Sequence, residues 1–155
     1  MLLQDRFRME LIQIPETLEE NDEFISNPSC RDTIYMTIDF YKKAGFAPPW
    51  IGYYAKQNDC YVGGAGFKGE PINGAVEIAY ATFEKYRKQG IGTEICRQLV
   101  ELSLRKDPAI RITARTLPEE SFSTKILKKN AFEFTGLVND PEDGEVWEWE
   151  FKPAK

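Results

Sequence analysis

Apolar and polar residues alternate along this chain in short runs separated by helical stripes, and the pattern divides it into elements. Arg8 to Ile14 predicts a first strand, ended by Pro15. The acidic stretch Glu16 to Glu23 follows as a solvated helical segment whose charge serves solubility; attraction of a cationic amine is the alternative. Asp32 or Thr33 caps a helix with Ile34, Ile38 and Tyr41 on one face, stopped by Gly45 and Pro48-Pro49. Trp50 to Ala55 and Cys60 to Phe67 are aromatic and β-branched runs around Asn58-Asp59, the pattern of an antiparallel hairpin. Gly69, Pro71, Asn73 and Gly74 punctuate the loop after it.

A strand from Val76 to Phe83 leads into a Gly-rich turn and a helix striped by Ile91, Ile95, Leu99 and Leu102, which Asp107-Pro108 ends. From Ala109 to Thr116, Ile110, Ile112 and Ala114 alternate with Arg111, Thr113 and Arg115, a strand with one buried face. Pro118 and Glu119 begin a second helix whose Phe122, Ile126 and Leu127 pack inward. Phe132 to Val138 and Glu145 to Phe151 are strands joined by the turn-rich Asn139 to Gly144. Trp147 and Trp149 share one face of the last, as core, sheet edge or part of a contact surface. The chain has no internal repeat or linker, so residues 1–155 are one domain of the α+β class, an α/β mixed sheet with helices on its faces.

Composition narrows the function by exclusion. A net charge of −5 over 155 residues argues against nucleic acid as the main ligand, although a basic local site remains open. Apolar runs fall short of the ~20 residues of a membrane span, and Met1 to Glu10 lacks the apolar core of a signal peptide. Cys30, Cys60 and Cys96 are odd in number and far apart, which fits a reduced, cytoplasmic protein without metal-ligand spacing. The chain has no histidine, so a Ser-His-Asp or Cys-His triad and a His-based metal site are excluded.

The turn Arg87-Lys88-Gln89-Gly90-Ile91-Gly92-Thr93 carries the strongest chemical signal. Arg-x-x-Gly-x-Gly at a helix N-terminus leaves main-chain N–H groups without partners, with the positive end of the helix dipole behind them. Such donors favour a phosphate, and the glycines let the backbone approach it. A P-loop needs a lysine before the Ser/Thr, and Thr93 follows Gly92 directly. A dinucleotide fingerprint needs a third glycine where Ile95 stands, and an acidic residue after a second strand where Asp107 ends a helix.

Arg87, Gly90 and Gly92 match the pyrophosphate loop of the GNAT N-acetyltransferases. Gly63-Gly64-Ala65-Gly66-Phe67 and Val76-Glu77-Ile78-Ala79-Tyr80 resemble that family's third and fourth strands. Ala114 to Glu119 and Ser123 to Phe132 resemble its later "TLPEN-x-x-S…LeKlGF" segment, with Asn130-Ala131 in place of the usual Leu-Gly before Phe132. From Tyr54 onward the chain is similar to the ribosomal-protein (RimJ/RimL-like) acetyltransferase branch. The resemblance implies a mostly antiparallel twisted sheet of about six to seven strands with about four helices. It also implies acetyl-CoA as co-substrate, a primary amine as acceptor (small molecule or protein N-terminus), direct transfer in a ternary complex, no metal, and a homodimer as a further expectation.

The same resemblance assigns roles. Ala81, Thr82 and Phe83 would hold the pantetheine, with the Ala81 N–H facing the thioester oxygen; Arg87, Lys88, Gln89, Gly90, Ile91, Gly92 and Thr93 would take the pyrophosphate. Glu77 would be the general base, or else a cross-strand partner on an exposed face. Glu120 and Ser123 would touch the cofactor, Glu120 standing where the family usually has asparagine. Leu127 replaces the tyrosine that protonates the departing thiolate, so the thiolate would leave unprotonated or take its proton from water, with Tyr80 as a lesser candidate for the role or else a core residue. Trp50, Tyr53 and Tyr54 would line the acceptor side, and Cys96 is a buried thiol rather than an acyl carrier. The alternative function is a non-catalytic acyl-CoA-binding module.

Overall fold

Seven strands form one sheet in the order β1-β2-β3-β4-β5-β7-β6 in the computed structural model, which describes residues 8–153. They are β1 (Met9–Gln13), β2 (Gly52–Gln57), β3 (Cys60–Phe67), β4 (Ala75–Thr82), β5 (Arg111–Thr116), β6 (Phe132–Asp140) and β7 (Gly144–Phe151). Every neighbouring pair is antiparallel except β4 and β5, which run parallel. A parallel pair needs a crossover, and the helix α3 (Ile91–Lys106) supplies it. The other helices are α1 (Asp22–Ser26), α2 (Arg31–Ala44) and α4 (Phe122–Lys129).

The hydrophobic periodicities become two half-cores, one on each face of the sheet. On one face α3 buries Ile91, Ile95, Cys96, Leu99 and Val100 against the even-numbered residues of β4, Val76 and Ile78. The alternation of β5 puts Ile112 and Ala114 on this face too. Trp149 joins them, and its indole N–H donates to Thr116 Oγ1 at 3.0 Å. On the other face α2 packs Ile34, Ile38 and Tyr41 inward. The Tyr41 hydroxyl donates to Ile14 O at 2.9 Å, and the hydroxyls of Thr33 and Tyr54 meet at 2.6 Å. These bonds satisfy phenols that would otherwise be buried unpaired.

Several boundaries differ from the sequence reading. The acidic stretch is a short 3-10 turn (Leu18–Asn21) leading into α1, and it is not wholly solvated: Asn21 is buried, as is Phe24 just beyond the stretch. Asn21 Nδ2 donates to Pro15 O (3.0 Å) and Thr17 O (2.7 Å), and Glu23 accepts the Tyr61 hydroxyl at 2.6 Å. The helix expected to be capped at Asp32 or Thr33 starts at Arg31. The later one starts at Phe122, because Ser121 and Thr124 form a reciprocal cap in which each side chain accepts from the other's main-chain N–H. That shift turns Phe122 outward, 64% exposed, while Leu127 is fully buried. Trp50 and Tyr54 are buried in the core, against the expectation that they line an acceptor surface, while Tyr53, also largely buried, reaches the wall of a second cavity beside Gln13 and Gln98.

Candidate active site

β4 and β5 part company halfway along. Their pairing runs from Ala75 and Arg111 to Ile78 and Ala114. Beyond that point β4 continues from Ala79 to Thr82 on β3 alone, and β5 turns to β7 through Arg115 and Thr116. The strands therefore open a wedge lined by main-chain groups.

Strand parity decides which groups face it. Glu77 O accepts from Lys68 N–H (2.9 Å) and Phe83 N–H donates to Val62 O (2.9 Å), so the odd-numbered residues of this segment bond toward β3. A Cβ built on Gly63 of β3 would fall 2.5 Å from Ala81 O, which confirms the direction of the Ala81 main chain. The N–H and C=O groups of Tyr80 and Thr82 face the wedge instead. Thr82 O accepts the Arg87 Nε–H at 3.5 Å. The Ala81 N–H, expected to face the thioester, is thus directed toward β3 and away from the wedge, although Ala81 still lies in the cavity wall.

A cavity of about 520 Å³ extends from this wedge to the start of α3. Tyr80, Ala81 and Thr82 form its strand side. Arg87, Lys88 and Gly90 form its turn, and Ile91, Gly92 and Thr93 its helix side. Gly90 precedes the helix at φ 80°, a left-handed conformation that glycine adopts without strain. No side chain caps α3, and its first intrahelical bond is Glu94 N–H to Gly90 O at 3.2 Å. The N–H groups before it project toward the cavity with two cationic side chains beside them, an arrangement made for an anion. Asn130 Nδ2 ties the end of α4 to this turn of α3 by donating to Thr93 O at 3.2 Å.

Not every expected residue joins the cavity. Ser123 does, and its carbonyl accepts the Tyr80 hydroxyl at 3.3 Å. Phe83, Gln89 and Glu120 are absent from its wall. Phe83 packs on the core beside Tyr54, and Glu120 is exposed, pairing with Lys128 at 3.3 Å. Five wall residues were missed: Tyr86, Phe122, Lys125, Ile126 and Lys129. The i,i+4 spacing of Lys125 and Lys129 was a usable signal, but it needed the true start of α4.

Glu77 stands on the opposite face of β4, the α2 side, outside this cavity. There Arg115 sits among three carboxylates, its Nη1 donating to Asp140 at 3.1 Å and its Nε 3.5 Å from Glu148 and 3.7 Å from Glu77. Burial raises the Glu77 pKa above the ordinary glutamate value, and Arg115 and Lys68 pull against that rise. Burial likewise holds the Tyr80 phenol protonated, and pushes the Cys96 thiol up to about 12. A thiol so buried makes no nucleophile at neutral pH.

A family model described as an acetyltransferase (GNAT) domain matches residues 2–133. A relative from Bacillus subtilis strain 168, named as the uncharacterized N-acetyltransferase YjdG, is 38% identical over 84 residues, 54% of this chain and 49% of that protein. The chain thus spans about half the length of that relative. Two solved structures are similar in fold. RimL, a ribosomal L7/L12 alpha-N-protein acetyltransferase in complex with coenzyme A, superposes with a TM-score of 0.66 at 19% identity over 92% of both chains. The aminoglycoside acetyltransferase AAC(6')-Ib with coenzyme A superposes at 0.64 and 22% identity, again over 92% of both.

Proposed function

This chain belongs to the GNAT acetyltransferase family, and from that premise we propose that it transfers the acetyl group of acetyl-CoA directly to a primary amine. One observation carries the reading: an unpaired strand segment and an uncapped helix N-terminus share a single cavity. The first suits the amides of a pantetheine arm, the second a diphosphate. The residues present fit such a ligand.

In this reading the main-chain N–H groups before Glu94, with the Arg87 side chain adding positive charge, hold the diphosphate. The wedge-facing groups of Tyr80 and Thr82 hold the arm and polarise the thioester oxygen, a preorganised donor being worth roughly 3 kcal/mol. Glu77, on the far face, takes a proton from the amine, directly or through water. The amine nitrogen bonds to the carbonyl carbon as the carbon–sulfur bond breaks. Tyr80 donates a hydrogen bond to the departing sulfur, and solvent completes its protonation, because burial makes the phenol a reluctant acid. The acceptor is a small-molecule amine or a protein N-terminus, and Phe134 and Leu137, exposed on the edge strand β6, offer a surface for a homodimer.

Acetyl-CoA should raise the melting temperature of the protein, since a ligand at a hundredfold excess over its Kd adds about 2.7 kcal/mol of stability. Scanning fluorimetry at millimolar ligand measures this, and a flat response would overturn the reading. Tyr80→Phe should lower kcat about tenfold with acetyl-CoA affinity kept, the loss of one hydrogen bond to a charged group. Thiol release from acetyl-CoA with a panel of amines gives the rate; an unchanged kcat would remove Tyr80 from the chemistry.

A further inference from the structure

Phe122 is the anomaly of this cavity. It opens α4 with its ring 64% exposed, in the wall beside the turn that carries Lys88. The ammonium groups of Lys88 and Lys125 each lie 5.9 Å from the ring centroid, one from the turn and one from the helix. Lys129, one helical turn further, lies in the same wall. On a chain of net charge −5 this end of the cavity is locally cationic, and Glu120, the acidic residue just before α4, is engaged by Lys128.

We propose that Phe122, Lys88 and Lys125 form a subsite for the 3′-phosphorylated adenosine end of coenzyme A, and that through it the protein distinguishes coenzyme A from dephospho-coenzyme A. The inference rests on the acyl-CoA reading of the cavity. Once the uncapped amides of α3 take the diphosphate, what remains of the ligand is a flat purine and a monophosphate dianion. An exposed aromatic ring suits the purine, because stacking tolerates any π face. The two ammonium groups now resting against the ring suit the dianion, which a lysine meets as a point charge. Filling the subsite swaps weak contacts of an ammonium with an aromatic face for stronger ones with a phosphate, while the ring leaves water.

Isothermal titration of the full chain with coenzyme A and with dephospho-coenzyme A tests this. The unchanged protein should bind coenzyme A about tenfold tighter than the dephospho form. The double variant Lys88→Gln, Lys125→Gln should lose that preference, its affinity for dephospho-coenzyme A nearly unaltered. Phe122→Ala should weaken both ligands by about tenfold. All three side chains are on the surface, so the variants keep the fold, which circular dichroism checks. Equal affinity of the unchanged protein for the two ligands would overturn the subsite and leave the acetyltransferase reading intact. Binding of neither would overturn both.

Discussion

Replacing Gly92 by valine should abolish the rise in melting temperature that acetyl-CoA gives the unchanged protein. The structure changes the reason for this expectation. Sequence pattern assigns Gly92 to keep a side chain out of the anion's way. Its absent Cβ points instead at α4, where it would fall 2.6 Å from Ile126 Cδ1 and 3.2 Å from Thr82 Oγ1. Gly92 therefore sets the spacing at which α3, α4 and β4 meet. A branched side chain there has two outlets: it drives Ile126 into the cavity, or it pushes α4 aside and takes Ser123 with it. Either spoils the wall on which binding depends. Overpacking of this kind costs about 1–3 kcal/mol, so the unliganded variant should melt a few degrees lower yet still fold. Calorimetric scans with and without ligand measure both quantities, and an undiminished ligand shift would refute the assignment of the turn.

Glu77→Gln should lower kcat at least about tenfold, within the ~10²–10⁴ that a general base contributes, and leave acetyl-CoA affinity nearly intact. The separation follows from placement, since Glu77 lies outside the cavity wall and across the sheet from it. The working form of the base is the carboxylate. Burial raises its pKa, so activity is present above that raised value and is lost as pH falls through it. The acid limb of log(kcat/KM) should therefore bend above the ordinary carboxylate range of ~4.3, and that limb should vanish in the variant. Rates equal to those of the unchanged protein would remove Glu77 from the mechanism.

Much of this fold is legible in the sequence, for a physical reason. Residues such as Ile112, Ala114 and Thr116 alternate because one face of β5 is buried. The stripe Ile91, Ile95, Leu99 marks the side α3 lays on the sheet, and Gly90 with Gly92 announces the turn before it. What is hidden depends on partners distant along the chain. Whether Ala81 or Tyr80 directs its N–H into the wedge depends on register with β3, which composition does not encode. The outward turn of Phe122 depends on a cap between Ser121 and Thr124 that shifts the helix past Pro118 and Glu119. Tyr54 looks like surface for a ligand until its hydroxyl finds Cys30 O inside the core.

The divergence of β4 from β5 has a mechanical side. At that seam the strands β5, β7 and β6 hold to the rest of the sheet by the short register that ends at Ile78 and Ala114. A pantetheine arm carries two amides, and lying along Tyr80 and Thr82 it would act as a missing strand, a stitch across an open zipper. In the acyl-CoA reading, loading the cavity would thus fasten one half of the molecule to the other, so its amine-facing and diphosphate-facing sides would become a single rigid frame only while the arm is bound.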